Sequence, residues 1–556
     1  MGSCWGTAIF DDHHSLIDNP SAHDPANISD FFADSSLFSV YGSGNYRPLV
    51  LTTYALTYGL FGDSLPALHA GNLILHIICA CLVFVFLTCL ARASSGSLPP
   101  ASALTGSLVF GLHPAASQVV HYISSRSESM ALLGVLGCLV LHVLSLETPV
   151  RHRRLLLRAG SIAALAGGFL SKESAVLAAP FLVATDLAVK PGWSFEDIKN
   201  RVGRMLVPVG SCLAYVWIVF SPGWIRVTAP PPAWNAVDGV DLSFLSRARA
   251  LWAYYEATVW PVRLAPFREL DRSDWAALSA AVALVVLLAG LVIGAVLLLR
   301  ARNRLTGLGL VIYFGALAPY LFITLNLLIN ENRLYAALLG IAMLAAQIHA
   351  ALLSRFSSSK PMRIVTIAVT MILLLMVARD WRTSWTWASE YRLWNAAIAA
   401  SPNSAEAYTG LATAYIREQN WKAAIDELER AAALPMRQGH VVQDNLGICW
   451  YHMGNREKAL DHFNRAYALN HYSPEILNNL GSLLHELGNP EAALPYLEAA
   501  VRLAPAYCEG QMELLAIQRS LGHYPALAAS FAQVPAHCRE DPRYQGFAAW
   551  LAKERN

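Results

Sequence analysis

The chain has 556 residues, too many for one ordinary domain, and carries 39 acidic residues against 41 Lys and Arg, a formal net charge of +2. It is 55% hydrophobic and only 14% charged, where soluble globular chains carry close to a quarter, so the composition is that of a membrane protein. No basic run is interleaved with aromatics, which excludes nucleic acid as a partner, and none of the nine cysteines stands in a CxxC pair at zinc spacing.

In chain order, residues 1–66 form a first segment carrying Asp11-Asp12-His13-His14 and then Tyr46-Arg47-Pro48. Two adjacent carboxylates supply a general base, hold a metal together with His13, or simply cap a helix. Residues 67–378 then form a multi-pass domain. A helix needs about 20 apolar residues to cross the hydrocarbon layer, and such runs fall near Ala67–Leu90, Ala101–His113, Met130–Leu146, Leu155–Leu170, Ala175–Val189, Met205–Phe220, Ala276–Leu299, Leu305–Leu325, Leu334–Leu353 and Ile364–Val377. His69 and His76, seven residues apart on one helix face, read as packed side chains. Cys79, Cys81 and Cys89 read as small hydrophobes.

Orientation follows from the distribution of basic residues among the connectors. Every other connector holds a cluster: Arg92; Arg151, Arg153, Arg154 and Arg158; Lys190, Lys199, Arg201 and Arg204; Arg300, Arg302 and Arg304; Arg355, Lys360 and Arg363. The short connectors of opposite parity hold only Arg126, Lys172 and Arg333, each inside a compact polar motif. The clusters are therefore predicted to be cytoplasmic. The segment before Ala67, an outer loop near 221–275 and everything after Arg379 then face outward. An outward first segment requires a span ahead of it, which Met1–Phe10 is too short to supply. Either an initial transmembrane helix is missing through a misassigned start or a truncation, or a short N-terminus crosses unaided.

Charged groups near an apolar layer are functional candidates by default, and this topology gathers four motifs at the outer face. Asp11, Asp12 and Arg47 form the first. Leu112-His113-Pro114 with Ser125-Arg126-Ser127-Glu128 is the second: Arg126 suits bidentate contact with a phosphate, or pairs with Glu128 to finish a turn. The third, Ser171-Lys172-Glu173-Ser174, interrupts an apolar stretch, where a buried ion pair gains little stability and function is the better account. In the fourth, Asn330-Glu331-Asn332-Arg333-Leu334-Tyr335, an acid and a base recur, and Arg333 and Tyr335 serve equally as interfacial anchors. Cations that neutralise a phosphate leaving group, beside a carboxylate that deprotonates an acceptor, suit chemistry on a membrane-borne phosphate.

Residues 379–403 are rich in tryptophan (Trp381, Trp385, Trp387, Trp394), an interfacial belt or a hinge. From residue 404 to 505 three helical pairs repeat with the tetratricopeptide period near 34: Leu411, Tyr415, Ala424, Leu428 and Ala431; Leu446, Gly447, Trp450, Ala459, Phe463 and Ala466; Leu480, Gly481, Leu484, Ala493, Leu497, Ala500 and Pro505. Residues 506–556 read as a degenerate repeat or cap. Cys508 and Cys538 pair there if the domain faces an oxidising compartment; otherwise they are two unrelated thiols.

The order Asp11-Asp12, Tyr46-Arg47-Pro48-Leu49, His69, Asn72, His76, Leu112-His113-Pro114, Ser125-Arg126-Ser127-Glu128, Ser171-Lys172-Glu173 and then tetratricopeptides resembles the transmembrane and tetratricopeptide-repeat O-mannosyltransferase family. More broadly it resembles glycosyltransferases of the GT-C type. The likeness covers nearly the whole chain. It implies an all-α protein, a polytopic helical bundle followed by a helical solenoid. The implied activity is transfer of a sugar such as mannose from a polyprenyl-phosphate donor, presented by membrane lipid, to a protein or glycan acceptor on the extracytoplasmic side. In such enzymes a carboxylate of the first outer loop is catalytic, which here is Asp11 or Asp12. The family's Arg-x-Glu-like and Ser-Lys-Glu-like segments match Arg126–Glu128 and Lys172–Glu173. With Arg47, His113 and Arg333 these are expected to bind the donor phosphate or substrate. No metal ligands are assigned, and the need for a divalent cation stays open. The repeat array is shorter than in animal members, which points to a bacterial inner-membrane homologue with its own sugar and acceptor. Two rivals remain: a non-catalytic membrane-anchored scaffold displaying a peptide-binding solenoid, and an O-antigen ligase or polymerase using Arg226, Arg247, Arg249 and Arg263 of the outer loop.

Overall fold

The computed structural model describes residues 8–9, 12–39, 45–94, 98–220, 244–261, 264, 276–300, 303–323, 329–356, 359–434, 438–505, 507–535, 538–539 and 541–554. Among these, every regular element is a helix, the all-α fold expected. After short turns comes α1 (Ile28–Phe31), then α2 (Pro48–Phe61), α3 (Leu65–Ala93), α4 (Pro100–Leu112), α5 (Ser117–His121), α6 (Arg126–Glu147), α7 (Arg151–Phe169), α8 (Ala178–Val189), α9 (Phe195–Phe220), α10 (Phe244–Val259), α11 (Ala276–Leu299), α12 (Arg304–Leu317), α13 (Leu334–Arg355) and α14 (Ser359–Trp387). The solenoid follows as α15 (Glu390–Ala400), α16 (Ala405–Arg417), α17 (Trp421–Ala432), α18 (Gly439–His452), α19 (Arg456–Leu469), α20 (Pro474–Glu486), α21 (Pro490–Leu503), α22 (Cys508–Ser520), α23 (Tyr524–Gln533) and α24 (Pro542–Glu554).

All ten apolar runs are helical over most of their described residues, as α3, α4, α6 to α9 and α11 to α14, because a backbone in hydrocarbon must satisfy its hydrogen bonds within its own segment. Six helices among the described residues are long and apolar enough to cross a membrane: α3, α6, α11, α12 with its 3₁₀ extension, α13 and α14. The other four runs differ. α4 and α8 have 13 and 12 residues, short of the usual span. α7 and α9 spend their first turns on charge (Arg151, Arg153 and Arg154; Glu196, Asp197 and Lys199). Two further helices were not anticipated: α2, within the first segment, and α10, within the expected outer loop.

Close helix approach inside the bundle rests on small residues, as membrane packing favours. At Gly134 of α6 a Cβ would stand 2.6 Å from the Gly168 Cα of α7. On the outside, Ile364, Ile367, Met371, Leu374 and Leu375 of α14 are all exposed, an apolar flank that lipid covers. At the end of the bundle carrying the basic clusters, buried Asp186 of α8 accepts from Arg201 Nε (3.0 Å) and Arg204 Nε (2.8 Å), fixing the charged start of α9.

In the solenoid the first and second helices of successive pairs are separated by a left-handed residue, Gly454, Gly488 and Gly522 (φ +80°, +82° and +71°), and by Gln419 (φ 58°) in the first pair. Glycine takes this conformation without the steric cost a side chain meets. Asn420 and Asn455 then cap α17 and α19. The repeat positions Ala424, Leu428, Ala431, Ala459, Phe463, Ala466, Ala493, Leu497 and Ala500 are all buried. The tryptophans divide: Trp381 and Trp385 are exposed, while Trp387 and Trp394 are buried with Ile9, Leu393 and Leu411 in a packed joint between bundle and solenoid. Cys508 and Cys538 form a disulfide that ties α22 to the cap.

Candidate active site

Four connectors meet at the end of the bundle opposite the basic clusters. The Leu49 amide donates to Leu170 O (3.2 Å), joining the start of α2 to the end of α7. Tyr54 Oη donates to Ile123 O (2.9 Å), joining α2 to the turn before α6. The Asn332 amide donates to Gln118 Oε1 (3.1 Å), joining the turn before α13 to α5.

Within this end the charged residues separate into two groups. Arg126, at the first turn of α6, is 1% exposed. Its Nε donates to Asn72 Oδ1 (2.9 Å), one Nη to Thr53 Oγ1 (3.1 Å) and the other to Leu68 O (2.7 Å), and it lies over the Tyr54 ring. Asn72 in turn donates to Tyr122 O and Ile123 O. Asp12, fully buried, sits against the same turn: its Oδ1 accepts from the Ser124 amide (2.7 Å) and Ser124 Oγ (2.5 Å), and its Oδ2 from the Ile9 amide (3.1 Å). The two residues are held by donors or acceptors from α2, α3, the first segment and the turn before α6. Asp11 lies outside the described residues.

The second group is more open. Lys172 Nζ donates to Glu128 Oε1 (2.7 Å), whose Oε2 accepts from Ser174 Oγ (3.3 Å). Next to it, one Nη of Arg47 reaches both Glu173 oxygens (3.2 and 3.3 Å), while Arg47 Nε is buried without a hydrogen-bond partner among the described residues. The Ser-Lys-Glu-Ser turn sits between α7 and α8, so adjacent residues 172 and 173 point their charges at two different helices. Glu128, Ser174 and Tyr335 line the polar end of a pocket whose remaining wall is Ala131, Leu132, Val135, Leu177, Phe181 and Ala336. Among the described residues no three His, Cys, Asp or Glu side chains converge as metal ligands.

The other expected residues stand to the side. One Nη of Arg333 donates to Tyr254 Oη (3.0 Å), and its guanidinium lies over the Tyr320 ring. His113 closes the gap to α10, with Nε2 on Thr258 O (3.0 Å) and Nδ1 accepting from the Ala115 amide. His76 donates to or accepts from Tyr335 Oη (2.8 Å), tying α3 to α13. Ser124, Tyr254 and Tyr320 escaped sequence reasoning, since nothing local distinguishes one serine of a Ser-Ser pair or one tyrosine of α10 from another. Arg226 and Arg263 lie outside the described residues, and Arg247 caps Phe322 O at 3.4 Å.

The fold and this site define a multi-pass helical membrane protein that carries a helical repeat domain beside a polar, cation-bearing end. The Tetratricopeptide repeat family model matches residues 392–438 and 451–507, and α15, ahead of the expected first repeat, packs against α16 within that match. The chain is homologous to proteins named protein O-mannosyl-transferase. It is 23% identical over 426 residues to F38B6.6 of Caenorhabditis elegans, covering 73% of this chain and 56% of the relative. To TMTC4 of Homo sapiens it is 25% identical over 469 residues, covering 76% and 62%. To TMTC3 of Homo sapiens it is 21% identical over 485 residues, covering 79% and 50%. The chain thus spans between half and two thirds of the length of these relatives. Among solved structures, the tetratricopeptide protein YrrB aligns at 16% identity, covering 36% of this chain and 97% of that chain with a TM-score of 0.24.

Proposed function

We propose that this protein is a membrane glycosyltransferase that moves a hexose, mannose by analogy with its relatives' names, from a polyprenyl-phosphate donor to a protein or glycan hydroxyl at the extracytoplasmic face. The observation that carries this reading is the pair of ion pairs, Arg47–Glu173 and Lys172–Glu128, the second of which reaches through Glu128 to the polar end of an apolar pocket. A polyprenyl phosphate has the same division: an anionic head and a hydrocarbon tail. On binding, the phosphate takes the place of a carboxylate partner, and the unpartnered Arg47 Nε supplies a further donor in the fork geometry that suits phosphate.

The acceptor oxygen attacks the anomeric carbon as the bond from that carbon to the phosphate oxygen breaks. The electron pair leaves with the polyprenyl phosphate, where Lys172 and Arg47 stabilise the growing charge. The acceptor proton passes to a carboxylate of the Asp11-Asp12 pair. Asp12, held by Ile9 and Ser124, fixes this segment, and the separate variants Asp11→Asn and Asp12→Asn divide base from anchor. Arg126 positions the turn that carries Glu128, and Arg333 and His113 brace the same end. The Cys508–Cys538 disulfide supports an extracytoplasmic solenoid, since such bonds persist in oxidising compartments. The test is transfer by the purified protein in nanodiscs from a panel of polyprenyl-phosphate sugars. Product from one donor, lost on Lys172→Ala, supports the assignment; full turnover by Lys172→Ala and Arg47→Gln refutes it. A scaffold without catalysis gives no product with any donor.

A further inference from the structure

The solenoid carries charge chemistry that sugar transfer leaves unused. The first helices of the pairs form its inner side: α20 packs on α22 and α16 approaches α18, while the second helices α17, α19 and α21 stand further from one another. These four inner helices bear Glu406, Asp444, Glu475, Glu509 and Glu513, together with Glu486, which Arg456 of α19 engages (Nε to Oε1, 3.0 Å), and no lysine. Their two arginines are engaged outward, Arg417 with Glu390 and Arg519 over the Trp550 ring. Asp444 and Asn479 bridge α18 and α20 through both carboxylate oxygens (3.0 and 3.2 Å), close to Glu475.

Two independent observations say what this surface lacks. One turn beyond Glu475, Asn478 is only 4% exposed and its Oδ1 has no hydrogen-bond partner among the described residues; Ser482 Oγ, the next turn along the same stripe, and Glu406 Oε2 are likewise buried without one among them. A buried acceptor without a donor is costly, so acceptors gathered on one face call for donors from outside. At the far end, the chain meets that need itself: Arg543 of α24 sets one Nη 3.5 Å from Glu509 and 3.4 Å from Glu513.

We propose that the inner face of the solenoid binds a cationic, extended polypeptide, its lysine or arginine side chains set against Asp444, Glu475 and Glu406 and its N–H donors taken by Asn478 and Ser482. Arg543 is the internal precedent for such a contact. If the enzyme reading holds, this segment belongs to the acceptor, whose charge and not only its hydroxyl then selects it; the binding does not depend on that reading.

The test uses the intact protein in zwitterionic nanodiscs and fluorescence anisotropy of two labelled peptides, one alternating lysine with serine and one alternating aspartate with serine. The lysine peptide is expected to bind, to be weakened by salt, and to lose about tenfold or more in affinity on Asp444→Asn with Glu475→Gln, in line with loss of close charge pairs. The aspartate peptide is expected not to bind. Equal binding of both peptides, or unchanged lysine-peptide affinity in the double variant, overturns the proposal. Should the double variant unfold, Glu475→Gln and Glu406→Gln, both at half-buried positions, carry the same comparison. Sugar transfer is scored separately, so a protein that binds the peptide but transfers nothing counts against the enzyme reading alone.

Discussion

Arg126 and Glu128 lie two residues apart at the start of α6, yet their surroundings differ in kind. Arg126 spends its guanidinium on three fixed partners from α2 and α3 and has no route to a ligand. Glu128 shares a lysine and a serine at the edge of a pocket, where a competing anion can take the lysine. A charge enclosed by backbone and amide partners holds a structure together, whereas a charge paired with another mobile side chain can be exchanged. Under the proposed function, the chemistry of this end of the bundle is assigned to Lys172 and Arg47, and its rigidity to Arg126 and Asp12.

That contrast is exposed most strongly by transfer rates. Lys172→Ala is expected to lower turnover by about 10²- to 10³-fold, the usual loss when a preorganised charge at a leaving group is removed. In a thermal-shift measurement the fall in unfolding temperature, from Glu128 losing its cation, is expected to be far too small to account for that loss. Arg126→Met is expected to do the reverse. Its loss leaves Asn72 Oδ1, Thr53 Oγ1 and Leu68 O without their donor, at about 1–3 kcal/mol for each buried group left unpaired, so the midpoint of thermal unfolding falls and activity per folded molecule survives. Were Arg126→Met to stay fully folded and lose turnover, the division between the two groups would be wrong. A smaller effect is expected in the cap, where Cys508→Ser with Cys538→Ser removes a cross-link worth about 2–4 kcal/mol; limited proteolysis then cuts the C-terminal helices first.

The least of these effects is a pH dependence. Burial pushes the Asp444 carboxyl up to about 7, helped by Glu475 and opposed by Asn479. Its folded value lies above the unfolded one of about 3.9, so its contribution to stability is complete below the unfolded value and is lost as pH rises through about 7. Unfolding of the solenoid, followed by circular dichroism, should therefore be easier at pH 8 than at pH 5. Asp444→Asn should flatten that difference.

Much of this architecture was legible in the sequence. All ten apolar runs are helices over most of their described residues, because leucine-rich and alanine-rich stretches in hydrocarbon have few alternatives. The repeat positions from Leu411 to Ala500 are buried as their spacing requires, except Tyr415, Trp450 and Leu484, which are partly so. What escaped depends on distant partners. Arg126 and Lys172 look alike in one dimension; only Asn72 and Thr53, brought in by α3 and α2, separate an enclosed arginine from an exchangeable lysine. α10 was hidden by its composition, since Arg247, Arg249 and Glu256 give it the texture of a loop. The cysteine pair stayed ambiguous because separation along the chain says nothing about proximity in space.

The joint at Ile9 has one further consequence. Ile9 is wedged among Trp387, Trp394 and Leu411, and its own amide is a ligand of the Asp12 carboxylate. The root of the solenoid and the acid of the first segment thus share one residue, Ile9. A tilt of the repeat domain therefore pulls on the buried Asp12 anchor and, through Ser124, on the turn that leads to Glu128.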